Sequence, residues 1–88
     1  MVRIPRKLLF KPVLIEWLDH IGLGSEWTDV KEAHEAELAT LSTVAYLLEV
    51  TKQKVVLGST LDSTKTETGD VTILVRSCVT SVKPLITQ

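Results

Sequence analysis

The chain has 88 residues, 44% of them hydrophobic, a mean hydropathy of +0.20 and a formal net charge of −1. That length is one domain with a thin core, and an apolar fraction this high in so small a chain points to surface covered by self-association. The single cysteine excludes an internal disulfide and fits a reducing cytoplasm, and no stretch approaches the ~18 continuous apolar residues of a membrane span.

Charge is unevenly distributed. Residues 1–11 carry Arg3, Arg6, Lys7 and Lys11 and no acid, a basic N-terminal arm. Lys11, Pro12 and Glu16 interrupt the apolar run that follows, so no signal peptide is expected. Residues 12–40 are acidic, with Glu16, Asp19, Glu26, Asp29, Glu32, Glu35 and Glu37 against Lys31 alone. One face able to attract nucleic acid and another able to repel it is one consequence of such asymmetry.

The first strand is expected over 12–20, "PVLIEWLDH", with Val13, Ile15 and Trp17 on one face. "IGLGSEW" (21–27) is a loop. Residues 28–40, "TDVKEAHEAELAT", form the one expected helix. Thr28 or Asp29 can cap it, Glu32 stands three after Asp29 as in a capping box, and its apolar stripe is thin, so it lies on the surface between strands one and two. Residues 41–60 are a hairpin turning at Thr51-Lys52-Gln53, with Val44, Tyr46, Leu48 and Val50 sharing one face and Thr43, Ala45, Leu47 and Glu49 the other. "LDSTKTETG" (61–69) is an exposed loop. The last two strands share 69–85, "GDVTILVRSCVTSVKPL", and Pro84 marks the last as an edge or an ending strand. Short connections through strands two to five favour an antiparallel meander. The expected fold is therefore mainly β: one 1–88 domain, a small five-stranded antiparallel barrel with one surface helix.

Between "VTILV" and "VTSV" stand Arg76-Ser77-Cys78, without glycine, proline or asparagine. A 3₁₀ turn needs only right-handed backbone and would join the strands. That joint resembles the one between strands four and five of SH3-like and Sm-like barrels. "VLIEWLDH", Trp27 before an acidic helix, "VAYLLEVTKQKVVLGST" and the "GDV" ending together resemble a family of small uncharacterised phage proteins, of cyanophage and marine-metagenome type, with an Sm-like barrel. The resemblance covers about residues 12–85. It implies closed homo-oligomeric rings, pentamer to heptamer, made by pairing strand four of one copy with strand five of the next. It also implies single-stranded RNA held at turns that correspond here to residues 51–53 and 76–78. Ser77 stands where the Sm pattern has glycine, so the resemblance implies phosphate attraction rather than base readout.

The candidate nucleic-acid residues are therefore Arg76, Lys52 and Lys54 at the two turns, and Arg3, Arg6 and Lys7 in the basic arm, which otherwise would be a frayed terminus. Trp17 and Tyr46 fit the core, Trp27 a cover for the barrel end, and Cys78 a buried packing residue. His20 and His34 match no metal-ligand spacing and Ser77 has no nucleophile-elbow context, so no catalytic residue, metal or cofactor is expected and the chain is not expected to be an enzyme. Two functions follow: a ring-forming binder of single-stranded RNA or DNA, cytoplasmic in a host cell, or a structural or host-modulating phage protein acting by protein–protein interaction through its acidic helix or an apolar edge.

Overall fold

The computed structural model describes residues 1–20, 22 and 27–85. Its elements are a 3₁₀ turn at Arg6–Leu8, β1 (Pro12–Asp19), α1 (Val30–Glu35), β2 (Ala39–Val50), β3 (Lys54–Leu61), β4 (Thr68–Val75), a second 3₁₀ turn at Arg76–Cys78, and β5 (Val79–Pro84). The five strands form one antiparallel sheet in the order β4-β3-β2-β1-β5. The chain is mainly β with little helix, as its turn-punctuated alternation indicates.

The sheet is open rather than closed into a barrel. Among the described residues β4 pairs only with β3 and β5 only with β1, so each leaves one edge free. Pro84, which cannot donate a ladder hydrogen bond, stands at the end of edge strand β5, opposite Val13. The joint between the last two strands is the 3₁₀ turn expected at Arg76–Cys78.

The buried core is Leu8, Val13, Ile15, Ala45, Leu47, Val55, Leu57, Leu74 and Val79, and no polar or charged residue is buried among the described residues. Register explains which face of β2 turns inward. Val13 stands opposite Ala45 and Ile15 opposite Thr43, so the odd residues of β2 join the inward side chains of β1. Tyr46, expected in the core, is therefore half-buried on the outer face, opposite Gly58. An irregularity between Leu47 and Glu49 then shifts the register with β3, and Val50 returns to pack against the core. A second irregularity, between Glu16 and Trp17, separates the β5 partners Ser81 and Val79. The Thr80 hydroxyl between them donates to the Glu16 carbonyl at 3.1 Å. Trp17 is half-buried against the core, and its Nε1 donates to Thr43 Oγ1 at 3.0 Å.

The helix is shorter than the residues suggest. Asp29 caps it by accepting from the Lys31 N–H at 3.2 Å, but it ends at Glu35 rather than running to residue 40. Ala39 and Thr40 instead pair with Asp19 and Leu18, extending β2 at the helix's expense. A six-residue helix has almost no stability of its own, and α1 buries none of its residues. β3 pairs with β2 only from Tyr46 onward, so the first half of β2 has β1 as its one strand partner among the described residues. The molecule is accordingly long, 52 × 28 × 24 Å, with a radius of gyration of 15.9 Å, against about 12 Å for a compact chain of this size.

The N-terminal segment is not a frayed tail. Leu8 is buried in the core, with Val2, Ile4 and Leu9 packed beside it. The Phe10 N–H donates to the Leu47 carbonyl at 2.6 Å, and the Leu47 N–H to the Lys11 carbonyl at 3.1 Å. This part of the chain thus lengthens the β1–β2 ladder while its cations stay exposed.

Gly58 is buried in β3 beneath a side chain of β4. A Cβ there would overlap the Thr68 hydroxyl, which donates to the Thr60 carbonyl at 2.7 Å, and would crowd Leu48 Cδ1 at 3.0 Å. G58A is expected to cost about 1–3 kcal/mol in urea unfolding, and T68A in the same chain should recover part of it. An undiminished loss in the double variant would show that the Thr68 hydroxyl is not the obstacle.

The loop from β3 to β4 is organised by one carboxylate. Asp62 Oδ1 accepts from the backbone N–H groups of Thr66 (2.8 Å) and Glu67 (2.9 Å), while Oδ2 accepts from the hydroxyls of Thr64 (2.5 Å) and Thr66 (3.2 Å). The Glu67 N–H, then the Thr64 hydroxyl, hold its carboxyl well below the ordinary value of 3.8. A carboxylate depressed in the folded state lends stability that is complete above its unfolded value and fades as pH falls below it toward the folded value. Thermal melts from about pH 5 to about pH 2 should therefore show wild type losing an increment that D62A lacks throughout. Parallel acid profiles for the two proteins would refute this role.

Candidate nucleic-acid interface

Three cationic segments that are far apart in sequence meet at one place. The β2–β3 turn is closed by Thr51, whose N–H donates to the Lys54 carbonyl at 2.9 Å and whose Oγ1 accepts from the N–H groups of Gln53 (3.1 Å) and Lys54 (3.0 Å). That hydroxyl fixes the turn without glycine and leaves the side chains of Lys52 and Lys54 exposed. The carbonyl of Gln53 then accepts from the Arg76 N–H at 2.9 Å, tying this turn to the 3₁₀ joint, and Lys54 pairs with Val75. The guanidinium of Arg76 reaches the N-terminal segment, where Nη2 donates to the Val2 carbonyl at 2.7 Å beside Arg3.

The predicted cations therefore divide by environment. Lys52, Lys54, Arg3, Arg6 and Lys7 are exposed, whereas Arg76 is half-buried and committed to Val2. Its Nη1 is buried with no hydrogen-bond partner among the described residues. Arg76 is a clamp that holds the N-terminal segment against the joint. Replacing it with alanine would release that segment as well as remove a charge. The clamp was not visible in the sequence, because nothing in "MVRIP" marks the Val2 carbonyl as an acceptor. A weak signal did exist in the apolar alternation of Val2 and Ile4 followed by Leu8.

The remaining chemistry-bearing residues lie elsewhere. Cys78, expected to be buried, is half-buried in an apolar groove of about 400 Å³ between the end of β1 and β4, with Trp17, Leu18, Leu38, Ile73 and Val75. At its rim His20 Nδ1 lies 3.3 Å from Asp19 Oδ1, with the imidazole almost wholly in solvent. Among the described residues no three His, Cys, Asp or Glu side chains converge as a metal site, and no helix is long and apolar enough to cross a membrane. Trp27, expected to cover the barrel end, is fully exposed. β4 turns Val71, Ile73 and Val75 outward, at 52%, 61% and 61% exposure, along a free strand edge. That stripe was legible in the odd-numbered positions of "DVTILV".

No protein-family model, no curated protein and no solved structure matches the chain.

Proposed function

We propose that this chain is a ring-forming protein of Sm-like type that holds single-stranded nucleic acid by phosphate attraction. The observation that supports the reading is the hydrogen-bonded junction of the 51–53 turn, the Arg76–Cys78 joint and the N-terminal segment, whose neighbouring residues Lys52, Lys54 and Arg3 are exposed. Lysines and arginines on turns neutralise phosphate without reading bases, and each neutralised phosphate releases counterion. Repetition around a ring would multiply every charge. Two features support assembly: the strand order leaves β4 and β5 as the free edges, and β4 exposes a β-branched apolar stripe beside its unpaired backbone. Barrel closure would then be completed between copies, and a host cytoplasm is where the resemblance to Sm-like phage proteins would put the molecule.

The test is fluorescence anisotropy with short labelled single-stranded RNA and DNA at increasing salt. Binding at ~50 mM salt that weakens linearly on a log–log plot is expected. No binding by the assembled oligomer at ~50 mM salt would overturn the reading.

One observation favours a second reading, a structural or host-modulating interaction protein: the fully exposed Trp27 stands beside an acidic helix with no buried residue. Capture of a defined partner from nuclease-treated host lysate, together with absence of oligonucleotide binding, would select it.

A further inference from the structure

The excursion between β1 and β2 carries apolar side chains that its own chain leaves in water. Trp27 is 103% exposed, Val30 68% and Leu38 55%. Large exposed aromatics are the usual anchors of protein interfaces, because one ring brings much apolar area at little entropic cost. The surroundings of this anchor are acidic: Asp29, Glu32, Glu35 and Glu37 stand against Lys31 alone, all exposed.

A complementary slot lies elsewhere on the same chain. A groove of about 230 Å³ opens between the N-terminal segment and the end of β2, lined by Ile4, Pro5, Leu9, Leu48 and Val50, with Arg6 and Glu49 also on its wall. The N-terminal segment that forms one wall carries Arg3, Lys7 and Lys11 exposed as well, and residues 1–11 contain no acid. An apolar slot walled on one side by a basic segment fits an apolar anchor in an anionic frame.

We infer that the Trp27–α1 excursion of one copy seats in the groove between the N-terminal segment and β2 of a second copy. The occupant is another copy because each chain carries both halves, in equal number and of opposite charge. It is not the same copy, because Trp27 stands wholly in solvent on its own chain. Reciprocal seating closes a dimer, and head-to-tail seating carries the association on to a third copy. The inference goes beyond the nucleic-acid reading and uses neither β4 nor an oligonucleotide.

The test is a photo-cross-linking amino acid placed at position 27 of the full chain, activated in an equal mixture of unlabelled and nitrogen-15-labelled protein. Cross-links joining a light to a heavy chain, mapped to residues 4–9 or 48–50, are expected. Links within one chain, links elsewhere, or none at tens of micromolar would overturn the inference. In sedimentation, W27A should weaken self-association by at least about tenfold while the circular dichroism melt at a dilution where both proteins are monomeric stays unchanged, since the indole is fully solvated in the monomer. R6E with K7E should weaken association likewise, and E32R with E35R in the same chain should restore it. Failure of that restoration would also count against seating in this groove. Because these readouts contain no nucleic acid, they can fail while oligonucleotide binding stands, and the reverse.

Discussion

L47A should cost about 2–5 kcal/mol in urea unfolding. Leu47 is fully buried, at 0% exposure, in the middle strand of the sheet, within the apolar cluster that also holds Ile15, Leu57, Val13 and Val55. The loss is large because truncation removes transferred apolar area and leaves a cavity that the surrounding strands close only in part. A chain of this length has roughly 4–13 kcal/mol in total, so the variant would be partly unfolded at ordinary temperature if wild type sits at the lower end. V44A, three residues earlier on the outward face at 61% exposure, should stay within about 0.5 kcal/mol of wild type. The pair tests the inward register of β2. If V44A were the costlier change, the face that meets Val13 and Ile15 would be the wrong one.

K52E combined with K54E should remove most single-strand binding under the proposed function. Both side chains are exposed on a turn fixed by Thr51, so charge reversal there leaves the backbone hydrogen bonds of the turn intact. With two phosphates no longer neutralised, the slope of log affinity against log salt should fall by about 1.4, at about 0.7 for each single-strand phosphate. An unchanged slope would move the interface away from the β2–β3 turn, toward Arg3, Arg6 and Lys7. R76A is the weaker test of the same idea, because its guanidinium holds the Val2 carbonyl. Any loss of affinity there would mix charge removal with release of the N-terminal segment.

Much of the fold was legible residue by residue. Alternation in "PVLIEWLD" and "KVVLGST", the polar Thr51-Lys52-Gln53 turn, and a joint without turn formers at Arg76-Ser77-Cys78 each correspond to an element of the structure. These features are local, set by side-chain period and by the φ/ψ a residue tolerates. The helix boundary was not legible, because 36–40 has good helix formers and its fate depends on what stands opposite. Pairing of Thr40 with Leu18 and Ala39 with Asp19 decided it. Which face of β2 turns inward was likewise ambiguous, since both faces hold apolar residues and only the partner strand breaks the tie.

The candidate site shows the same division. Its cations, Lys52, Lys54, Arg3, Arg6 and Lys7, were evident as charges on a turn and on an acid-free basic segment. That the turn, the joint and the N-terminus touch came from hydrogen bonds between segments up to 74 positions apart, which no local pattern encodes. By itself the sequence determined a small β domain with its turns, its 3₁₀ corner and its uneven charge, because those depend on near neighbours along the chain. The tertiary structure alone decided that Arg76 is a clamp, that Trp27 stands in water, and that the sheet keeps two free edges, because each of those depends on which distant residue comes within reach.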